Sequence, residues 1–131
     1  MSGYLTLDTS VLVAAERGDR VAWTTLRKFV AHDWIPLVPT VVLAESWRGA
    51  RQARLSKALR QCRIEALDEA TARRAGELSA RSGLDDPVDA IVVITASQRG
   101  GQLWTHDPHL LTLVQYLPPD ARPVVIRSSR G

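Results

Sequence analysis

A chain of 131 residues has the length of one ordinary domain, which buries about two-thirds of the surface its unfolded form would expose. Its 45% hydrophobic and 24% charged residues exclude a disordered or membrane-spanning class, and Cys62, the only cysteine, excludes an internal disulfide and a zinc site built on several thiolates. The net charge of +3 is mostly arginine, Lys28 and Lys57 being the only lysines, a bias compatible with a phosphate-bearing partner but not diagnostic of one.

The start, Met1-Ser2-Gly3-Tyr4-Leu5, has neither the basic residues nor the apolar stretch of a secretory signal, so a cytoplasmic location is expected. Residues 1–131 should form a single domain, with Ser128-Ser129-Arg130-Gly131 as a loose tail. Tyr4 to Leu7 reads as a strand that delivers Asp8 to its carboxyl end, and Asp8-Thr9-Ser10 then offers capping side chains to a helix starting at Val11. Asp19 caps a second helix with Ala22, Leu26, Phe29 and Val30 at helical spacing, and Ile35 to Pro39 reads as a strand. Thr40 should cap a third helix placing Val41, Ala44, Trp47, Ala50 and Leu55 on a roughly common side, with Glu45 near its start. Leu67-Asp68 opens a helix that Gly83 ends.

Asp86-Pro87 is a strong helix start, because proline at the first helical position lacks only an N–H that would have no partner there. It puts Asp89 in the first turn of a helix whose continuation, Ala90 to Ala96, is apolar on nearly every side and should therefore be deeply packed. Gly100-Gly101 stops that helix. Gln102 to Thr105 is a strand leading to Asp107, Pro108 opens a short helix through Val114, and Pro123 to Ile126 is a last strand. Alternating strands and helices imply an α/β fold with a mainly parallel central sheet and helices on both faces.

Ligands of such sheets sit beyond the carboxyl ends of the strands, where Asp8 and Asp107 lie and where Asp89 and Glu45 can join them. Crowded carboxylates repel one another unless a cation neutralises them, and hard oxygen donors suit Mg²⁺ or Mn²⁺. Such an ion, or a pair of them, supports phosphodiester hydrolysis, with Asp8, Asp89 and Asp107 as ligands and Glu45 as a ligand or a base orienting water. Thr9 and Thr105 can support the site through their hydroxyls, although capping explains them equally well.

These residues resemble the PIN domains and, within them, the VapC-type toxins. The matching segments are Leu7-Asp8-Thr9-Ser10-Val11-Leu12, Leu43-Ala44-Glu45, Asp89-Ala90-Ile91 running into Thr95-Ala96, and Gly101-Gln102-Leu103-Trp104-Thr105-His106-Asp107. The resemblance implies a PIN-like single domain and an acidic pocket of Asp8, Glu45, Asp89 and Asp107 that holds Mg²⁺ or Mn²⁺, with Thr105 as its supporting hydroxyl. It also implies metal-dependent endoribonuclease activity on RNA, homodimerisation, and inhibition by a small VapB-like antitoxin. Val92-Val93 depart from the small alanines common in the family, and His106 precedes the last acid.

On the substrate side, Arg48, Arg51, Arg54, Lys57, Arg60 and Arg63 recur at every third residue. On one continuous helix that step spirals around the axis, so Arg48 and Arg51, nearest the acids, are expected to contact RNA, and the later ones to form a solvated face or an antitoxin-facing surface. Trp47 and Trp104 read as core, while Trp23 and Trp34 remain open. His106 is expected at the surface, with a contact to phosphate as the alternative, and His32 and His109 have weaker claims still. A haloacid-dehalogenase phosphohydrolase would need a second Asp where Ser10 stands, and a receiver domain would need a paired acid and a late lysine; neither pattern is present. The remaining rivals are a catalytically silent PIN module, which loss of any one acid would have favoured, and a PIN nuclease of RNA processing without an antitoxin.

Overall fold

In a computed structural model that describes residues 3–127, Leu5, Thr6 and Leu7 of strand β1 (Tyr4–Leu7) are all buried. Successive strand side chains point to opposite faces, so burial of all of them means that the sheet is covered on both sides. Met1-Ser2 and the expected tail at Ser128–Gly131 lie outside the described residues.

The chain continues through α1 (Thr9–Glu16), α2 (Arg20–Ala31), β2 (Ile35–Pro39), α3 (Thr40–Ser46), α4 (Ala53–Leu59) and β3 (Arg63–Glu65). It then forms α5 (Glu69–Ser82), α6 (Pro87–Gln98), β4 (Gln102–Trp104), α7 (Pro108–Val114), a 3₁₀ turn (Pro119–Ala121) and β5 (Val124–Ile126). The strands form one sheet in the order β3-β2-β1-β4-β5, with every pair parallel. From β1 the chain builds outward to β2 and β3 and then crosses to the other side for β4 and β5. The order therefore reverses between β1 and β4, and the crevice beyond their carboxyl ends is where a ligand of such a sheet binds.

Three of the expected starts and stops hold in detail. Asp19 accepts from the Val21 N–H at 3.1 Å, Asp68 from the Thr71 N–H at 2.8 Å, and Gly83 closes α5 at φ 71°, in the left-handed region where glycine is unstrained. Asp86 accepts from the Asp89 N–H at 3.1 Å, and in α6 every residue from Asp89 to Ala96 is buried, as its unbroken apolar pattern requires.

The expected third helix is two helices. α3 stops at Ser46, Trp47 is extended, and Gly49 sits at φ 139° before α4 begins. Gln52 holds this break, accepting from the Arg48 N–H and donating to the Ser46 carbonyl at 2.9 Å. Trp47 consequently turns outward with 39% of its surface exposed, whereas Trp104 is fully buried as expected. The break also removes the spiral of basic residues: only Arg54 and Lys57 lie within a helix, and Arg63 belongs to β3, a strand absent from the sequence reading. Thr40 opens α3 without capping it, and its hydroxyl instead accepts from the Leu67 N–H at 3.3 Å.

Candidate metal centre

β1 ends by placing Asp8 at the switch point, and its side chain does not cap α1. Only 3% exposed, it is held by two hydroxyls that converge on one oxygen: Ser10 Oγ donates to Oδ2 at 2.8 Å, and Thr105 Oγ1 donates to the same atom at 2.5 Å. Each hydroxyl also accepts a backbone N–H, Ser10 from His106 across the crevice at 2.9 Å and Thr105 from Asp107, two residues on in its own loop, at 2.9 Å. The end of β1 and the loop after β4 are thus tied together around a carboxylate whose Oδ1 makes no hydrogen bond to a described residue.

The other side chains arrive from helix starts. Asp107 is the N-cap of α7, accepting from the His109 N–H at 2.9 Å, and Asp89 comes from the first turn of α6. Ligand atoms of Asp89, Asp107 and His109 all lie within 4.8 Å of one another. Burial pushes Asp89 up to about 7, reinforced by the charges of Asp86, Asp8 and Asp107 and by a hydrogen bond with Asp86. A carboxylate that holds its proton this strongly among other acids is one whose ionised form calls for a cation. Oxygen donors with a single imidazole suit Mg²⁺ and suit Mn²⁺ at least as well, so the residues present fit such an ion.

Glu45 stands at the rim rather than inside. It is exposed, and Thr9 Oγ1 donates to its Oε1 at 2.6 Å, which ties α3 to the residue following Asp8. Of the basic residues expected to meet substrate, Arg51 is exposed on the link between α3 and α4. Arg48 Nη1 is already engaged, donating to the carbonyls of Ala44 at 3.2 Å and Trp47 at 2.9 Å, where it closes the open end of α3.

The family comparison rests on the whole of this frame, since the PIN domain family matches residues 5–114. This chain belongs to the PIN domain family. Among solved structures it is similar to a chain of VapBC2 from Rickettsia felis bound to a DNA fragment from their promoter, with TM-score 0.74 and 16% identity over 96% of this chain and 99% of that one. It is also similar to a chain of a toxin–antitoxin complex from Klebsiella pneumoniae, with TM-score 0.70 and 21% identity over 95% and 98%. A third likeness is PAE2754 from Pyrobaculum aerophilum, with TM-score 0.61 and 20% identity over 86% and 87%. No curated protein matches this chain by sequence.

Within this PIN fold, two site residues escape sequence reasoning. Ser10 looks like one more helix-start hydroxyl, and only its reach across to His106, 96 positions later, shows its place. His109 stands two residues after an aspartate that caps a helix, a spacing that brings an N-cap side chain and its neighbour to the same helix end. His106, expected at the surface, is half-buried, its ring edge-on to Trp104 at 6.4 Å.

Proposed function

We propose that this protein is a metal-dependent endoribonuclease, the toxin of a VapBC-type pair, with Asp8, Asp89, Asp107 and Glu45 as its acidic site and a VapB-like antitoxin as its inhibitor. The single observation carrying the reading is the meeting of Asp89, Asp107 and His109 beside the buried Asp8, with Asp89 protonated up to about pH 7 unless a cation joins it. Mg²⁺ or Mn²⁺, when bound, supplies polarisation of the phosphate and an acidified water. Asp89, Asp107 and the Oδ1 of Asp8 would hold that ion, and His109 tilts the choice toward Mn²⁺. Ser10 and Thr105 keep Asp8 from rotating, so its carboxylate is oriented before substrate arrives. Glu45, exposed and steadied by Thr9, is available to take a proton from the attacking water.

The VapBC assignment draws its support from the two toxin–antitoxin complexes among the structural likenesses, each matched over nearly its full chain. Homodimerisation and a cytoplasmic location belong to the same reading. No helix among the described residues is long and apolar enough to cross a membrane.

The test is cleavage of total RNA by the purified, partner-free protein with Mg²⁺ or Mn²⁺, beside EDTA and Asp8→Asn controls. Discrete fragments that require both metal and Asp8 are expected, with Mn²⁺ at least as effective as Mg²⁺. A folded, metal-binding protein that cuts no RNA would overturn the reading.

A further inference from the structure

A cleft of about 340 Å³ opens beside the acids, lined by Ser10, Val13, Ala14, Arg17, Asp19 and His106. Its size is at the lower end of the roughly 300–1,000 Å³ typical of small-ligand sites. It is one hydrogen bond from the candidate centre, because the Ser10 on its wall donates to Asp8 and accepts the N–H of His106 on its other wall. Val13 and Ala14, consecutive on α1, supply apolar surface, and Val13 is 37% exposed. The polar groups stand around it.

The charge around the cleft suits a phosphate chain. A cluster of carboxylates repels a phosphate chain, and basic groups beside it offset that repulsion and steer the chain in. Arg17 is exposed on the cleft wall, where Asp19, its Oδ1 accepting the Val21 N–H, is an opposing charge, so a positive balance there needs a second basic group. Arg54 lies against the backbone of Gly18, the next residue, where an added Cβ would stand 3.0 Å from its Nε. That position is stable because Glu16 Oε1 accepts the Leu55 N–H at 2.9 Å, pinning α4 to the end of α1. Single-stranded RNA is read by stacking bases on aromatic rings, histidine included, and on guanidinium planes. A half-buried His106 and an exposed Arg17 facing one apolar floor provide those surfaces.

We propose that this cleft is a nucleotide subsite, which takes the base and phosphate next to the cleaved bond of single-stranded RNA and so sets where the chain is cut. It rests on the ribonuclease reading and adds to it the residues that choose the substrate. Arg17 and Arg54 hold the phosphate, while Val13 and His106 enclose the base.

Two substitutions at exposed positions test it, Val13→Trp to fill the cleft and Arg17→Glu to reverse its charge. Cleavage by each should show KM raised roughly tenfold or a changed set of cut sites, with Mn²⁺ affinity unaltered in Val13→Trp and not weakened in Arg17→Glu. In parallel, amide NMR of the wild-type protein in EDTA, titrated with a short single-stranded RNA of mixed sequence, should move Ser10, Arg17 and His106, and Val13→Trp should abolish those shifts. Wild-type KM and cut sites in both variants would overturn the subsite while leaving the nuclease reading intact. Should the wild type cut nothing, the nuclease reading fails and the NMR result decides alone: shifts confined to other surfaces, or produced at the cleft by a protein partner and not by RNA, would end the proposal.

Discussion

Asp89 holds its proton up to about pH 7 because the ionised form is buried among other carboxylates. In the metal-free protein, between the ordinary value of 3.8 and about 7, the unfolded chain carries an ionised aspartate and the folded chain a protonated one. The folded state then binds the extra proton, so stability falls as pH rises through that window and levels off above it. Each pH unit contributes at most about 1.4 kcal/mol, and water at the open side of the crevice reduces the total to roughly 1–2 kcal/mol. Asp89→Asn should remove this loss, which denaturation in EDTA at pH 5 and pH 8 would measure; equal pH dependence in the two proteins would count against the account. Mn²⁺ competes with the same proton, so its affinity should rise with pH up to about 7. Asp8, Asp89 and Asp107 were legible as residues at a strand end and at helix starts, whereas Glu45, expected near the start of its helix, lies in the last turn of α3 because that helix stops at Ser46. Of the hydroxyls that hold Asp8, Thr105 was expected and Ser10 was not, because Ser10 is tied to Asp8 and His106 through a fold that no local pattern encodes.

Among the elements, the legible ones announce themselves by more than one signal. α6 has an N-cap carboxylate, a proline and an unbroken apolar run, and it forms where expected with Asp89 buried in its first turn. The reading of Thr40 to Leu55 as one helix rested on apolar spacing and on a Thr40 cap that does not form. That spacing continued through Arg48-Gly49, where the φ of 139° breaks the helix and only glycine is at ease. β3 escaped because its residues are mostly exposed and do not alternate. Asp86 gives a test at this scale. Asp86→Asn keeps the acceptor that caps α6 but removes a charge that raises Asp89. Thermal stability should change by less than about 0.5 kcal/mol, asparagine and aspartate being equal caps. The pH midpoint of Mn²⁺ binding should move downward, and a midpoint that stays in place would show that the charge of Asp86 does not reach the site.

For the molecule as a whole, the α/β class followed from alternation of elements, but the strand order did not, because pairing partners are chosen by packing across the sheet. That order puts β1 in the middle and against β4, and Gly101 enters β4 so close to β1 that a Cβ there would overlap the Tyr4 carbonyl oxygen. Gly101→Ala should separate the two strands that deliver Asp8 and Asp107, costing about 1–3 kcal/mol and weakening Mn²⁺ binding. Gly76→Ala, in open space on α5, should instead stabilise by about 0.5–1 kcal/mol, and calorimetry on both would check the contrast. The bond from Thr105 to Asp8 joins residues 97 apart. During synthesis at about 5–20 residues per second, Asp8 therefore waits roughly 5–20 s for its partner to be made, and the central strand lacks one neighbour throughout. A crevice put together from two distant stretches of one sequence cannot exist until both have been made, so its chemistry is withheld from the chain through most of that interval.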